Sequence, residues 1–371
     1  MNRLKYASLV LSCLICGSAF SVLGCGESST ALSPPTVLAD NPVALNSRES
    51  ATLRSLADPL GIAVGNVLSD SYGWPDPRIG EIAAEQFNFG FLEVYWFSVN
   101  PEPDVYTFAE QERLLGLAEA AQQKVFGHVI VWGNREVLPD WLSNGRWNRR
   151  QTLGLMQNHI QQVMTQFEGR INTWIVVNEA YSPGDFFREK VGFDYVDQAF
   201  AMARQQDPQA ILLYNDFANE TASGSNTRQT RQIVQRLRRK GLIDGVGLQM
   251  HLNGSEPPSQ SDLVQTMRSY GIPVYITELD VDMRAVAGTQ AERFEQQAQI
   301  YQTVLQAALE AGVDTLSVWG LADPYSWLET PPSENTSPLA DPCFYDENLE
   351  PKPAHQQWID GLAAQNQFLH P

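Results

Sequence analysis

From about residue 52 onward the chain repeats one pattern: a short apolar run, a polar turn, then an amphipathic stretch of helical period. The apolar runs stand at 62–68, 87–95, 125–132, 173–179, 210–216, 245–251, 273–280 and 315–321. Helical stretches at 110–123, 152–167, 195–206, 227–240, 261–270 and 291–311 fall between them. Runs without a polar face mark buried parallel strands, and strands alternating with helices mark repeated βα units. Eight such units close most naturally as one (β/α)8 TIM barrel. An open doubly wound sheet alternates too, but no Gly-rich phosphate fingerprint follows the first strand, which disfavours its nucleotide-binding form.

The barrel is assigned to residues 51–371, and what precedes it reads as export machinery. Arg3 and Lys5 lead into an apolar run at 6–20, and Val22-Leu23-Gly24-Cys25 has the form of a lipoprotein processing site. On this reading residues 1–24 are a signal peptide and Cys25 carries the lipid. An ordinary signal peptide and an uncleaved anchor are the alternatives. Residues 25–50, rich in Ser, Pro and Ala, form a flexible tether. The expected location is the cell envelope, with membrane contact only through the anchor. Of the four Cys, only Cys343 lies within the barrel domain, so no internal disulfide framework is available and a packed thiol is expected. The formal net charge of -18 argues against nucleic acid and anionic membrane surfaces, and suits a soluble enzyme acting on a neutral polymer.

The strand ends carry the chemistry. The fourth run stops in Asn178-Glu179 and the seventh in Glu278-Leu279-Asp280. The third supplies His128 and Trp132, the fifth Tyr214-Asn215-Asp216, the sixth Gln249-Met250-His251 and the eighth Trp319. Any one of these residues, taken alone, is most simply a strand cap or a satisfied buried polar group. Their coincidence at one end of a barrel is harder to dismiss. Retaining cleavage of a glycosidic bond needs two carboxyl groups about 5–5.5 Å apart, one a nucleophile and one an acid and then a base. Glu278 has His251 as a partner that favours its charged form, and Asp280 is placed to orient that imidazole. Glu179 stands beside an amide and feels the charge of Glu278, so it is expected to keep its proton. Asn178 is placed for a sugar 2-hydroxyl. Trp132, Trp319 and Trp327 are candidate stacking surfaces, with His128 at a sugar edge.

These residues resemble glycoside hydrolase family 10, the retaining endo-β-1,4-xylanases. The matching segments are GHVIVW (127–132), LPDWL (138–142), WIVVNEA (174–180), YND (214–216) and GVGLQMH (245–251), followed by ITELD (276–280), VWGLADPYSW (318–327) and FYDENLEPKPA (344–354). They run in order over nearly the whole domain. The resemblance implies Glu179 as acid/base and Glu278 as nucleophile. It places Asn178, His128, Trp132, Gln249, His251, Trp319 and Trp327 around the sugar. It implies a xylan-like β-linked polysaccharide or oligosaccharide as partner, no cofactor and no metal. A monomer is expected.

The departures bear on specificity. Where the family has Glu-Asn-Glu-Met-Lys-Trp at the second strand's end, with sugar-binding Glu, Asn and Lys, this chain reads Phe91-Leu92-Glu93-Val94-Tyr95-Trp96. After Trp132 the family's His is replaced by Gly133-Asn134. The expectation is an intact catalytic centre with rebuilt glycone-side subsites, Tyr95 among the substrate-binding groups. Two other classes stand against this. A lipid-anchored glycan-binding protein without turnover would have no use for a buried pair of like charges, which is costly to maintain. A metal-dependent hydrolase lacks a His-x-His or His-Glu-x-x-His cluster.

Overall fold

A computed structural model describes residues 51–72, 76–329 and 339–369. Residues 1–50, the segment expected to hold a signal peptide, Cys25 and a tether, lie outside the described residues, as does most of the Pro- and Ser-rich excursion after the last strand. The eight long strands are β1 (Ala63–Leu68), β2 (Phe89–Glu93), β3 (Lys124–His128), β4 (Thr173–Asn178), β5 (Ile211–Asp216), β6 (Gly245–Leu248), β7 (Val274–Asp282) and β8 (Thr315–Val318). Each pairs in parallel with the next, and β8 returns to β1 through Ala63↔Thr315 and Val64↔Leu316. The sheet is a closed barrel. Its main helices are α1 (Leu53–Ala57), α2 (Pro77–Gln86), α3 (Ala109–Ala120), α4 (Arg149–Gln166), α5 (Phe186–Val191), α6 (Tyr195–Gln206), α7 (Ser225–Arg239), α8 (Gln260–Ser269), α9 (Gln290–Ala311) and α10 (Pro353–Leu369).

Burial on two faces explains the unbroken apolar runs. Val64, Leu92, Trp174, Val176, Leu212, Val246, Ile276 and Leu316 point outward into the layer shared with the helices. Val67, Phe89, Phe91, Ile175, Leu213 and Trp319 fill the barrel interior. The layer between strands and helices is closely packed beside β3. A Cβ on Gly127 would stand 2.0 Å from Trp174 Cε3, so this position of β3 admits only glycine. Helix starts are specified locally. Asn148 with Gln151 opens α4, and Thr289 with Glu292 opens α9, each as a reciprocal capping box.

Two strands stop before their apolar runs do, and the chain resumes pairing in a short rim strand. β3 ends at His128, and Val131–Trp132 forms a separate short strand against β4, with Trp132 opposite Asn178. β6 ends at Leu248, Met250 turns into the left-handed region at φ 63°, and His251 starts a short strand paired with Asp280. Both breaks lie at the rim, where the chain leaves the barrel ladder to aim side chains over its mouth. Cys343 is buried, and burial pushes its thiol well above the usual range. Among the described residues no helix is long and apolar enough to cross a membrane.

Candidate active site

The C-terminal ends of β4, β5, β6 and β7 converge on one hydrogen-bond network. Glu179 follows β4 with φ 55°, a left-handed conformation that costs a residue with a Cβ about 1–3 kcal/mol. Two backbone bonds hold it there. Glu179 N donates to Asn215 O at 3.0 Å, and Ser182 N donates to Glu179 O at 3.0 Å. The carboxyl Oε1 accepts from Asn178 Nδ2 at 3.1 Å and from Gln249 Nε2 at 3.0 Å, and Oε2 accepts from Ser182 Oγ at 3.2 Å. Burial raises its pKa above the carboxylate range, donation from Gln249 opposes the rise, and the charge of Glu278 adds to it.

Glu278, 5% exposed on β7, has the opposite surroundings. Its Oε1 accepts from Asn215 Nδ2 at 2.5 Å, and its Oε2 is 3.2 Å from His251 Nε2. His251 Nδ1 is 2.9 Å from Asp280 Oδ1, and Asp280 Oδ2 accepts from Trp327 Nε1 at 2.8 Å. Burial disfavours the imidazolium, but the carboxylates of Asp280 and Glu278 outweigh it and lift the His251 pKa to about 10. His251 is therefore doubly protonated at neutral pH and donates to both. Burial also presses the Glu278 pKa upward. Donation from His251, backed by the Asn215 amide, reverses this, and the net direction is down.

Amides tie the two acids together. Asn178 Oδ1 accepts from Asn215 Nδ2 at 3.0 Å and from Gln249 Nε2 at 3.2 Å. Thr277 Oγ1 donates to Asn215 Oδ1 at 2.7 Å, which fixes the amide orientation and leaves Nδ2 for Asn178 and Glu278. One carboxyl whose pKa is pushed up and one whose pKa is pushed down, joined through two amides, is the pairing needed for an acid and a nucleophile.

An aromatic group lines the β2–β3 side. The His128 ring lies 4.8 Å from Trp319 and 5.8 Å from Tyr95, and Tyr95 lies 5.8 Å from Trp132. Burial holds the His128 pKa below its usual range, so the ring is neutral. His128 Nδ1 and Trp132 Nε1 are buried without a hydrogen-bond partner, which marks them as atoms for a ligand to satisfy. Trp327 stands across the site, edge-on to His251 at 5.0 Å.

Glu179, Asn178, Gln249, Glu278, His251, Asp280 and Trp327 thus share one network, and His128, Trp132, Trp319 and Tyr95 share one aromatic cluster. Sequence reasoning missed Asn215, Ser182 and Thr277 as members. Asn215 carried a signal, since it ends β5 as Asn178 ends β4; Ser182 and Thr277 carried none. The residues of the second-strand run divide between core and rim. Phe91 is fully buried against Phe89 and Phe126 in the barrel interior, and Leu92 is fully buried on the outer face. Phe91 also meets the His128 ring edge-on at 6.1 Å. The residues of that run at the rim are Tyr95 and Glu93, the latter 8% exposed with its pKa raised to about 7 by burial. Hydrogen bonds from Ser69 and Tyr95 pull that value back, and the charges of Glu110 and Glu278 push it on.

Comparison with known proteins fits this geometry. The model of Glycosyl hydrolase family 10 matches residues 52–360. The chain belongs to glycosyl hydrolase family 10. Endo-1,4-beta-xylanase B of Thermotoga neapolitana is 30% identical over 321 residues, which span 83% of this chain and 90% of that protein. An endo-1,4-beta-xylanase of Agaricus bisporus is 33% identical over 275 residues, 72% of this chain and 80% of its own. Xylanase 10B from Thermotoga petrophila in complex with xylobiose superposes with a TM-score of 0.76 at 29% identity, covering 85% of this chain and 98% of that one. Xylanase10C from Cellvibrio japonicus in complex with xylopentaose gives 0.77 at 25% identity, over 86% and 70%. Family 10 membership makes the protein a glycoside hydrolase, and its barrel is the (β/α)8 fold of these structures.

Proposed function

We propose that this family 10 hydrolase cleaves β-1,4-xylosidic bonds in xylan or xylo-oligosaccharides by double displacement. The observation that carries the mechanism is the single hydrogen-bond network holding Glu179 and Glu278, whose surroundings push the first pKa up and the second down. The xylan reading rests on the relatives named as endo-xylanases and on neighbours that hold xylobiose and xylopentaose.

Glu278 attacks the anomeric carbon while Glu179 gives its proton to the leaving oxygen. The bond from carbon to leaving oxygen breaks as the glycosyl ester forms. Water then attacks the same carbon, Glu179 takes its proton, and the ester bond breaks with retained configuration. Asn178 binds the 2-hydroxyl through the amide that also bridges the acids. His251, fixed by Asp280, holds Glu278 charged between turnovers. Tyr95, Trp132, Trp319 and Trp327 supply ring faces, with His128 and Gln249 at sugar edges. On the glycone side Tyr95 stands where the family has a lysine, beside Glu93, whose charged form burial disfavours, so recognition there rests on ring contact more than on charge. Cys25 would tether the enzyme to the cell envelope.

The test is time-resolved NMR of soluble enzyme with a panel of β-glycans, run beside Glu278→Ala and Glu179→Ala. Xylan should yield the β-anomer first. Glu278→Ala should lose turnover by about 10⁴-fold or more, and Glu179→Ala should lose least on substrates with good leaving groups. An early α-anomer, or parental activity in Glu278→Ala, ends the reading.

A further inference from the structure

The turn after β4 contains a second layer of control over Glu179. Ser182 closes a tight turn on Glu179 through its N–H, and its hydroxyl donates to Glu179 Oε2 at 3.2 Å. The turn is clamped from outside. Arg188, in the short helix α5, donates from Nη1 to Ala180 O at 2.9 Å and from Nη2 to Ser182 O at 2.6 Å. Arg188 N also donates to Asp185 Oδ1 at 2.6 Å, and Tyr195 OH donates to Asp185 Oδ2 at 3.0 Å. The Ala180 N–H is held separately by Tyr214 OH at 3.1 Å. The backbone N–H and C=O groups of Glu179, Ala180 and Ser182 therefore each have a partner, and the Ser182 hydroxyl is left for the Glu179 carboxyl. The planar guanidinium suits the task because it reaches two carbonyls at once, which an ammonium does not.

From this geometry we propose that Ser182, clamped by Arg188, is a positioning residue that aims the Glu179 carboxyl at the leaving oxygen and sets the alkaline limit of activity. The proposal rests on the acid/base assignment of Glu179 made above. A hydroxyl donating to a carboxyl oxygen favours the charged form, so it holds the Glu179 pKa below the value that burial and Glu278 alone would give. Without it, the carboxyl keeps its proton to higher pH, and Oε2 loses its partner while Asn178 and Gln249 still hold Oε1. These two effects have opposite signs in a pH profile, and a merely structural role produces neither.

The experiment measures kcat/KM against pH for aryl β-xylosides of graded leaving group and for an unactivated xylo-oligosaccharide. The parent, Ser182→Ala, Ser182→Thr, Arg188→Lys and Glu179→Ala are compared, with Ser182→Ala also placed in the Glu179→Ala background. Ser182→Ala should lower the plateau on poor leaving groups by about tenfold, lower it much less on activated ones, and move the alkaline limb upward. Ser182→Thr should restore both, Arg188→Lys should show a weaker form of the same pattern, and the double variant should lose nothing beyond Glu179→Ala. Equal losses on all leaving groups, an unmoved alkaline limb, or full additivity in the double variant overturns the proposal. A parental Arg188→Lys profile removes the clamp. Should Glu179→Ala itself match the parent on poor leaving groups, the acid/base assignment falls instead.

Discussion

Asp280 acts at one remove from the reacting atoms. It is almost fully buried, accepts from Trp327, and holds the imidazole that in turn holds Glu278. Its negative charge is a main reason His251 remains protonated to about pH 10. Asp280→Asn keeps the shape and removes the charge. The His251 pKa should then fall, Glu278 should lose the cation that keeps it ionised, and the acidic limb of kcat/KM should move up by about one pH unit. An unchanged acidic limb would show that Asn215 alone keeps Glu278 charged. The pair Glu278 and His251 was legible in the sequence, because both stand at the ends of neighbouring apolar runs that a barrel brings side by side. Asn215 was visible as a strand end and not as a bridge, since only coordinates show which two acceptors one amide can reach.

At the scale of elements, the rim differs most from the sequence expectation. Apolar runs continue past the last ladder pair, so hydrophobicity alone carried β3 to 132 and β6 to 251. The ladder stops earlier because Met250 adopts positive φ and because Val131–Trp132 pairs with β4 after a break. The Gly133-Asn134 departure acquires a reason here. A Cβ on Gly133 would stand 2.1 Å from Asp185 Oδ2 and 2.3 Å from its Cγ, so a carboxylate from the next βα loop occupies that space. Phe186 N, at the start of α5, donates to Gly133 O at 2.8 Å and holds the two loops together. Gly133→Ala should push Asp185 away from Tyr195 and from its cap of α5, at a cost of about 1–3 kcal/mol. Thermal unfolding is the check, and an unchanged Tm would mean the loops are free to part.

For the whole molecule, buried histidines away from the site tie stability to pH. His159 is fully buried and stacked on Trp96 at 3.8 Å, and burial lowers its pKa to about 3. His355, beside Gln86 and Tyr345, is lowered to about 4 by burial. Both bind a proton more weakly folded than unfolded, where the value is about 6.5. The stability from keeping them neutral is complete above that value, and it is lost as pH falls through 6.5 towards 4 and 3. His251 has the reverse sign, its contribution being present below about 6.5 and lost as pH rises through about 10. The Tm should therefore drop from pH 7 to pH 4, and drop less steeply in His159→Phe, which keeps an aromatic ring on Trp96. Identical slopes in the two proteins would locate the acid sensitivity elsewhere.

The sequence by itself determined the architecture, because eight runs with no polar face have nowhere to be buried except between a helical layer and a closed interior. It also determined which strand ends carry acids, since a polar group ending such a run comes to the rim. Only the tertiary structure decided which of those groups touch. It packed Phe91 and Leu92 into the core, brought Glu93 and Tyr95 to the mouth, and joined Glu179 to Glu278 through Asn178 and Asn215. Opposed protonation arises from distance, burial and donor direction, and none of these exists until the strands have closed.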